Sequence, residues 1–316
     1  MSGNFLKYFR VIFLFALAFA LFHSLNQSKT EEFVIISSDK SSEEVIEDFL
    51  NEGLIKKGLT YYFLKTYITL GGSIEPGGYN LREGMGAAAA ALGLKDPEYR
   101  FVSVSSGQRK GEIADSLGDI LDWDDEKVKQ FSTQYAVCEL IGQEGYFATG
   151  KYLIHKDEEP EIVQIKMQES FNEQINNLEL EEGDFDKNTI IKIASLIQRE
   201  AAGKNDMRLI SGIIWNRLEI GMPLQIDATL QYIRGEEGDW WPVPESDDKY
   251  LDSEFNTYKN NGLPPAPISV PSEKALYAAV NPLKTDCLFY LHDDWRNIHC
   301  STTYEGHKRN VNYYLK

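Results

Sequence analysis

The sequence predicts an α+β protein built in three parts, and three observations along the chain predict this organisation. An apolar run follows basic residues near the N-terminus, two segments of the same layout recur in the first half, and the region from Lys187 holds four of the five Trp residues among helical and strand patterns. We therefore expect a cytoplasmic tip, membrane anchor and linker over 1–30, repeated strand–helix modules over 31–180, and a mixed α+β domain over 187–316.

The N-terminal segment "KYFRVIFLFALAFALF" predicts a single-pass anchor. Lys7 and Arg10 precede the apolar run Val11–Phe22, so the N-terminus is expected in the cytoplasm and the remaining chain outside the membrane. A spanning helix needs about 20 residues, which Phe5–Leu25 supplies if the two basic side chains snorkel. A cleaved signal peptide is the alternative, but the following "FHSLNQ" has no clear small-x-small cleavage site.

Composition excludes several classes of function. The chain has 316 residues and a net charge of −17, which argues against a nucleic-acid partner because such proteins need a basic surface. Three Cys residues do not form a disulfide framework. The five His residues lack metal-ligand spacing on one helix face, so we expect neither a metal nor another cofactor.

The modules predicted over 31–180 consist of a short strand, a Ser-rich turn and an amphipathic helix. This layout is read from "FVIISSDKSSEEVIEDFLNEGLI" (Phe33–Ile55) and "FVSVSSGQRKGEIADSLGDILDW" (Phe101–Trp123), with weaker echoes in Gly77–Leu92 and Gly150–Met167. Such modules bind or position a ligand, or serve only as spacers, and their composition names no ligand. The acidic run "ELEEGDFD" (Glu179–Asp186) predicts the boundary to the last domain.

The last domain is predicted to contain four helices and a hairpin. The helices are expected at Ile190–Glu200, at Met207–Leu218 with Gly221 ending it, at Ser272–Val280, and after Thr302, which forms a capping-box pattern with Glu305. The segment "CLFYLHDDWRNIHCS" predicts a hairpin that places Cys287 opposite Cys300, where a position outside the cytoplasm permits a disulfide. His292 and His299 flank its turn and are expected at the surface. Asn216 and Arg217 are expected on the polar side of their helix.

Glu200 stands on the apolar stripe of the first of these helices. It lies three residues after Ile197 and seven after Ile193, at the end of the helix. Apolar surroundings and the negative end of the helix dipole both raise the pKa of a carboxyl group. A glutamic acid that stays protonated near neutral pH is suited to general acid catalysis. The alternative is a structural glutamate that pairs with one of three arginines. These are Arg199, Arg208 and Arg217.

Cleavage of a glycosidic bond is one reaction that uses such an acid, because the leaving oxygen must be protonated. Most glycosidases need a second carboxylate, and Asp227 is the best candidate nearby in the sequence. Without a second carboxylate, the sugar must supply the nucleophile. The 6-hydroxyl of N-acetylmuramic acid can do so, which gives a 1,6-anhydro product and consumes no water.

Five segments, in order, resemble the catalytic domain of the YceG-like endolytic murein transglycosylases. They are "IASLIQREA", "IWNRLEIGMPLQIDATLQY", "FNTYKNNGLPPAPIS", "ALYAAVNPLKTDCLFYL" and "CSTTYEGHKRNVNYYL", and together they cover Ile190–Leu315. Segments within 31–180 resemble, more weakly, that family's membrane-proximal LysM-like region. The ordered combination is specific, whereas no single motif is.

The resemblance implies a single-pass lytic transglycosylase of the bacterial inner (cytoplasmic) membrane. Its substrate would be nascent peptidoglycan glycan strands, cut internally between N-acetylmuramic acid and N-acetylglucosamine to leave 1,6-anhydro ends, and peptidoglycan synthases are possible partners. The family's catalytic acid ends an "A-S-x-x-x-x-E" segment, which assigns that role to Glu200 here. Gln198 occupies a position where relatives often have another acid.

The resemblance also implies residues that line the cleft. Gln225 is expected to hydrogen-bond the acetamido group or the reacting ring, and Asn256 and Tyr258 to orient the substrate or stabilise the oxocarbenium-like centre. Asp227 is expected to partner the residues that contact the substrate. It is followed by Ala228, where the family usually has proline. The alternatives are a loop-tying amide for Gln225 and a core residue with a bonded hydroxyl for Tyr258.

Three other functions remain open at this point. The chain is alternatively a non-catalytic peptidoglycan-binding scaffold of the cell-wall synthesis machinery, or a murein hydrolase that uses Asp227 and water. A membrane-tethered interaction module whose activity resides in 33–175 is the third. Product ends and the effect of substituting Glu200 discriminate among them.

Overall fold

The computed structural model describes residues 31–55, 58–82, 93–133, 143–177, 186–202 and 206–315. These residues form ten α-helices, one 3-10 helix and six strands, so the predicted α+β class is confirmed. The anchor predicted over 1–30 lies outside the described residues, as does most of the helix expected to follow the strand at Gly77. Within the part of the chain that is described, none of the helices has the length and apolar character needed to cross a membrane.

The chain divides into two compact units. The first comprises 1–101 and 153–157, and the second comprises 102–152 and 158–316. The LysM-like assignment and the functional domain boundaries drawn from the sequence stay predictions.

The first unit packs helices against an antiparallel sheet. Its elements are β1 (Glu31–Ile36), α1 (Ser42–Asn51), α2 (Leu59–Thr69) and β2 (Gly77–Arg82), with parts of β3 (Tyr99–Val104) and β4 (Gly150–His155). Strands β1 and β2 pair from Glu31↔Arg82 to Ile36↔Gly77. A capping box begins α1, in which the Ser41 side chain accepts the Glu44 N–H and the Glu44 carboxylate accepts the Ser41 N–H. The strand–turn–helix layout predicted for Phe33–Ile55 is therefore confirmed.

The second unit contains the remaining helices and a hairpin. Its elements are α3 (Lys110–Leu121), α4 (Asp125–Ser132), α5 (Pro160–Asn176), α6 (Lys187–Glu200), α7 (Met207–Glu219), α8 (Asp227–Arg234), a 3-10 helix (Ser246–Tyr250), α9 (Glu273–Val280), β5 (Phe289–His292), β6 (Ile298–Ser301) and α10 (Tyr304–Tyr314). The first turn of α10 differs from the expected capping box by one residue. Thr303 is the N-cap and its side chain accepts the Gly306 N–H, so Thr302 and Glu305 do not form the cap.

Helix α6 is the central element of the second unit. Asp186 caps its N-terminus, and the apolar stripe predicted from the sequence is buried against α7 and α9. The Ser195 hydroxyl accepts the Ile268 N–H at 3.1 Å, and Gln198 Oε1 accepts the Ser272 N–H at 3.1 Å. Ser272 is the N-cap of α9. Gln198 thus holds the start of the neighbouring helix.

The predicted hairpin is formed by β5 and β6, with Tyr290 opposite Cys300 and His292 opposite Ile298. Cys287 and Cys300 form a disulfide across it. Asp293 holds the turn, since its Oδ1 accepts the backbone N–H groups of Trp295 and Asn297. The disulfide therefore joins the chain just before β5 to β6, next to the strand that carries Tyr290.

Replacing both Cys287 and Cys300 with serine is expected to lower the free energy of unfolding by about 3 kcal/mol. The cross-link spans a sequence separation of 13 residues, and closing a loop of that size removes about that much entropy from the unfolded chain. Urea unfolding of the oxidised wild type, the reduced wild type and the double variant measures the effect. The reduced wild type should resemble the double variant, and an unchanged midpoint in both would contradict the prediction.

Candidate active site

Glu200 ends α6 with a half-buried carboxyl group that β5 holds. Its Oε2 accepts a hydrogen bond from the Tyr290 hydroxyl of β5 at 2.7 Å. The backbone N–H of Ala228, in the first turn of α8, lies near enough to lower the pKa of the carboxyl group. Glu200 therefore lies where α6, α8 and the hairpin meet.

The pKa of Glu200 is raised above its ordinary value. Burial is the largest cause, and the nearby Asp227 carboxylate raises the pKa further. The hydrogen bonds from Tyr290 and Ala228 and the charge of His292 act in the opposite direction and only reduce the effect. A raised pKa favours the protonated form, which is the form a general acid needs.

The three arginines considered as structural partners of Glu200 are engaged elsewhere. The Arg199 guanidinium lies 3.6 Å from the centre of the Trp241 ring. Arg208 Nε donates to the Asn281 carbonyl. Arg217 donates to the carbonyl oxygens of Leu288 and Leu224 at 2.6 and 2.5 Å.

Arg217 corrects an expectation from the sequence, because it is buried and does not face solvent. Together with Asn216, whose amide donates to the Thr285 carbonyl at 2.7 Å, it fixes the segment that leads into β5. Arg217 lies on the polar side of the helix in the sequence pattern, but loop residues cover it in the structure. The pair positions the hairpin on which Tyr290 lies.

Asp227 is the second carboxylate of the site and is hydrogen-bonded to Tyr258. Asp227 is the first residue of α8 and is exposed, and the Tyr258 hydroxyl donates a hydrogen bond to its Oδ1. Burial and Asp227 raise the pKa of Tyr258, so its hydroxyl remains a neutral donor. Glu200 and Asp227 thus stand in different environments, since Glu200 is half-buried and Asp227 is exposed.

The loop before α8 is held in an unusual conformation. Gln225 is exposed and has a φ of 51°, in the left-handed region that few residues other than glycine adopt. Thr257 fixes the loop, since its carbonyl accepts the Gln225 N–H and its hydroxyl accepts the Ile226 N–H, both at 3.0 Å. Backbone strain of this kind clusters at functional sites. The predicted contact of Gln225 with substrate stays a prediction.

Asn256 is fully buried in the neighbouring "FNTY" segment. Its amide nitrogen donates to the carbonyl oxygens of Lys249 and Leu251, and its Oδ1 accepts the Tyr258 N–H at 3.0 Å. The side chain therefore orients Tyr258 through the backbone. A direct contact between Asn256 and substrate stays a prediction from the resemblance.

Sequence reasoning missed Tyr290, His292 and Asp206 as parts of the site. His292 Nε2 lies 2.9 Å from Asp206 Oδ2, which also accepts the Ala202 N–H just after α6. His292 is half-buried against this carboxylate, so the surface position expected for it was wrong. Alternation along β5 places residues 290 and 292 on one face of the strand, and this signal could have grouped them.

Comparisons with known proteins identify relatives of this chain. The YceG-like family matches residues 34–313. An endolytic murein transglycosylase of Bacillus subtilis is 26% identical over 314 residues, which cover 91% of this chain and 86% of that protein. An endolytic murein transglycosylase of Streptococcus pneumoniae is 36% identical over 127 residues, and the match spans only 23% of its length and 39% of this chain.

A solved structure is similar as well. The crystal structure of a YceG-like protein from Listeria monocytogenes superimposes with a TM-score of 0.56 at 25% sequence identity, over 89% of this chain and 99% of that one. The chain is thus an α+β protein with a half-buried glutamate at the C-terminal end of a core helix. The chain belongs to the YceG-like family.

Proposed function

We propose that this protein is a peptidoglycan lytic transglycosylase that cuts glycan strands between N-acetylmuramic acid and N-acetylglucosamine. The observation that carries the proposal is the half-buried Glu200 carboxyl group with a raised pKa, hydrogen-bonded by Tyr290 at the end of α6. The relatives named as endolytic murein transglycosylases support the same reaction.

In the first step, Glu200 donates its proton to the glycosidic oxygen. The bond between C1 of N-acetylmuramic acid and O4 of N-acetylglucosamine breaks, the leaving sugar departs as an alcohol, and positive charge develops at C1 and the ring oxygen. The exposed Asp227 carboxylate, bonded to Tyr258, supplies negative charge on the same side of the site as Glu200. It stabilises that positive charge without forming a bond to carbon.

In the second step, the 6-hydroxyl of the same N-acetylmuramic acid attacks C1. The C1–O6 bond forms, and the ionised Glu200 accepts the hydroxyl proton, which returns it to the protonated state for the next cycle. No water is consumed, and the product is the 1,6-anhydro sugar. Gln225 is proposed to hydrogen-bond the acetamido group, and Asn256 to keep Tyr258 in place.

The ends of the products test the proposal. The full-length chain in detergent is incubated with un-crosslinked glycan strands, and the ends are identified by mass spectrometry. Anhydro ends support the transglycosylase. Reducing N-acetylmuramic acid ends would favour a hydrolase in which Asp227 activates water, and binding without cleavage would favour the scaffold.

The proposal includes the surroundings in which the enzyme works. The segment 1–30 anchors the chain in the cytoplasmic membrane, and the part from residue 31 lies on the outer side. The LysM-like region over 31–180 positions the catalytic residues on the glycan strand. Peptidoglycan synthases, which make the nascent strand, are the proposed protein partners. A fusion of alkaline phosphatase after residue 316 tests the orientation, because that enzyme is active only outside the cytoplasm.

Removing either hydrogen-bond donor to Glu200 is expected to move the alkaline limb of the pH–activity profile to higher pH. Tyr290→Phe and Ala228→Pro each delete a donor that favours the ionised carboxylate, and proline, which has no N–H, is tolerated in the first turn of a helix. Since activity needs the protonated acid, it is lost as the pH rises through the Glu200 pKa, and a higher pKa delays that loss.

The profile of kcat/KM against pH measures this shift, with Phe289→Tyr as the control on the same strand. A limb that moves to lower pH in both variants would contradict the assignment of Glu200 as the group that titrates.

A further inference from the structure

A cavity that the proposed mechanism does not use lies in the second unit. Its volume is about 570 Å³, within the range of small-molecule sites. Its walls include six residues from separate segments. They are Arg109, Glu144, Asn188, Tyr232, Trp240 and Phe255.

Aromatic rings form one side of this cavity and are held rigidly. The Tyr232 and Phe255 ring centres are 4.8 Å apart. The Arg109 guanidinium lies 4.2 Å from the Tyr232 ring and donates to the Trp240 carbonyl at 3.1 Å. A Cβ on Gly111 would approach the Trp240 ring to 2.2 Å, so that ring rests directly on the backbone of α3. A fixed aromatic wall loses little entropy when a ligand packs on it.

Glu144 provides a polar group in the same cavity. Its Oε1 accepts the Lys110 N–H at 2.9 Å, and burial raises its pKa to about 7. The Lys110 ammonium group donates to the Thr133 carbonyl at 2.7 Å and is thereby occupied. The amide of Asn188, at the start of α6, is exposed on the cavity wall. Aromatic faces beside a carboxyl and an amide group suit a sugar ring, which has apolar C–H faces and polar edges.

The cavity shares two elements with the candidate active site. In α8, Ala228 contacts Glu200 and Tyr232 follows four residues later, about one helical turn or ~6 Å along the axis. In the "FNTY" segment, Phe255 lines the cavity and Tyr258 bonds Asp227. A polymer bound at Glu200 therefore has the cavity within reach of its neighbouring units.

We propose that this cavity is a distal subsite for an N-acetylhexosamine unit of the glycan strand that is cut at Glu200. The sugar ring packs against Trp240 in the aromatic wall, and its hydroxyl or acetamido groups hydrogen-bond Glu144 and Asn188. The subsite rests on the proposed function, because it takes the same strand as substrate. A stem peptide is the less suitable occupant, since its carboxylates would lie next to Glu144 while Arg109 is already enclosed by aromatic rings.

Strand length tests the subsite. Wild type and Glu144→Ala are compared on peptide-free glycans of four and ten sugars, and the ratio of kcat/KM for the long over the short strand is measured. Alanine removes the hydrogen-bonding group, and loss of one good hydrogen bond is expected to lower that ratio about tenfold. Asn188→Ala is the second variant and is expected to act in the same direction. Glu219→Ala, at an exposed acid on α7, is the matched control and should keep the wild-type ratio.

Binding to the inactive Glu200→Gln chain separates this inference from the proposed function. Adding Glu144→Ala to it should weaken binding of the ten-sugar strand about tenfold in calorimetry, whether or not the wild type cleaves. Unchanged binding and an unchanged length ratio in both cavity variants would overturn the subsite while leaving the transglycosylase intact. A difference seen only with peptide-bearing strands would also overturn it and assign the cavity to the stem peptide.

Discussion

Glu200→Gln is expected to abolish the formation of anhydro ends, with a loss of at least about 10³-fold in kcat, within the range for removing an essential general acid. Glutamine has nearly the same shape, and its carbonyl oxygen still accepts the hydrogen bond from Tyr290. It has no acidic proton to give to the leaving oxygen and cannot take one from the 6-hydroxyl. Both steps of the proposed reaction therefore fail, although the site remains assembled.

The measurement is the yield of anhydro ends from glycan strands at several enzyme concentrations. Equal thermal unfolding midpoints of the variant and the wild type establish that the fold persists. Activity above one part in a hundred would make Glu200 a structural acid and would require another proton donor. Adding Gln198→Glu to the variant is a sharp control, because that side chain faces the start of α9 and is not expected to restore activity.

The sequence was sufficient to predict α6 and its acid. Apolar periodicity gave the stripe from Ile190 to Ile197, and these residues are buried as expected. The same period predicts that Glu200 lies on the apolar face at the end of α6, because this position depends only on neighbouring residues in the sequence. The hairpin was predictable for a similar reason, because two short strand patterns flank a polar turn. Its register was not, since Tyr290 and not Cys287 lies opposite Cys300, although the predicted disulfide forms.

The surroundings of Glu200 were not predictable in this way. Tyr290 lies 90 residues further along the chain, and no local period joins it to α6. The burial of Arg217 depends on two carbonyl oxygens from loops whose path is fixed only in the folded unit. Thr257 is a similar case, since its role is to hold a loop whose strain appears only as the positive φ of Gln225. These features depend on tertiary contacts between loops, whereas the sequence pattern predicts only which face of each helix is buried.

Asp227→Asn is expected to reduce kcat about 10²-fold and to move the alkaline limb of the profile to lower pH. The rate falls because a negative charge near the oxocarbenium-like centre is removed, an effect of the size found for a single electrostatic group in an active site. The limb moves because the Asp227 charge raises the pKa of Glu200. Without that charge Glu200 ionises at lower pH, and the protonated acid is lost earlier as the pH rises. Tyr258 keeps an acceptor in the asparagine oxygen.

The direction of this shift is opposite to that expected for Tyr290→Phe, so the pair tests the electrostatics of one carboxyl group from two sides. Asp227 favours its proton through charge, and Tyr290 favours its ionised form through a hydrogen bond. The products distinguish the two roles open to Asp227. If it only stabilises charge, Asp227→Asn still makes anhydro ends, at the lower rate. If it is the base for water, wild type makes reducing ends and the variant makes none. Limbs that shift together in the two variants would mean that the titrating group is not Glu200.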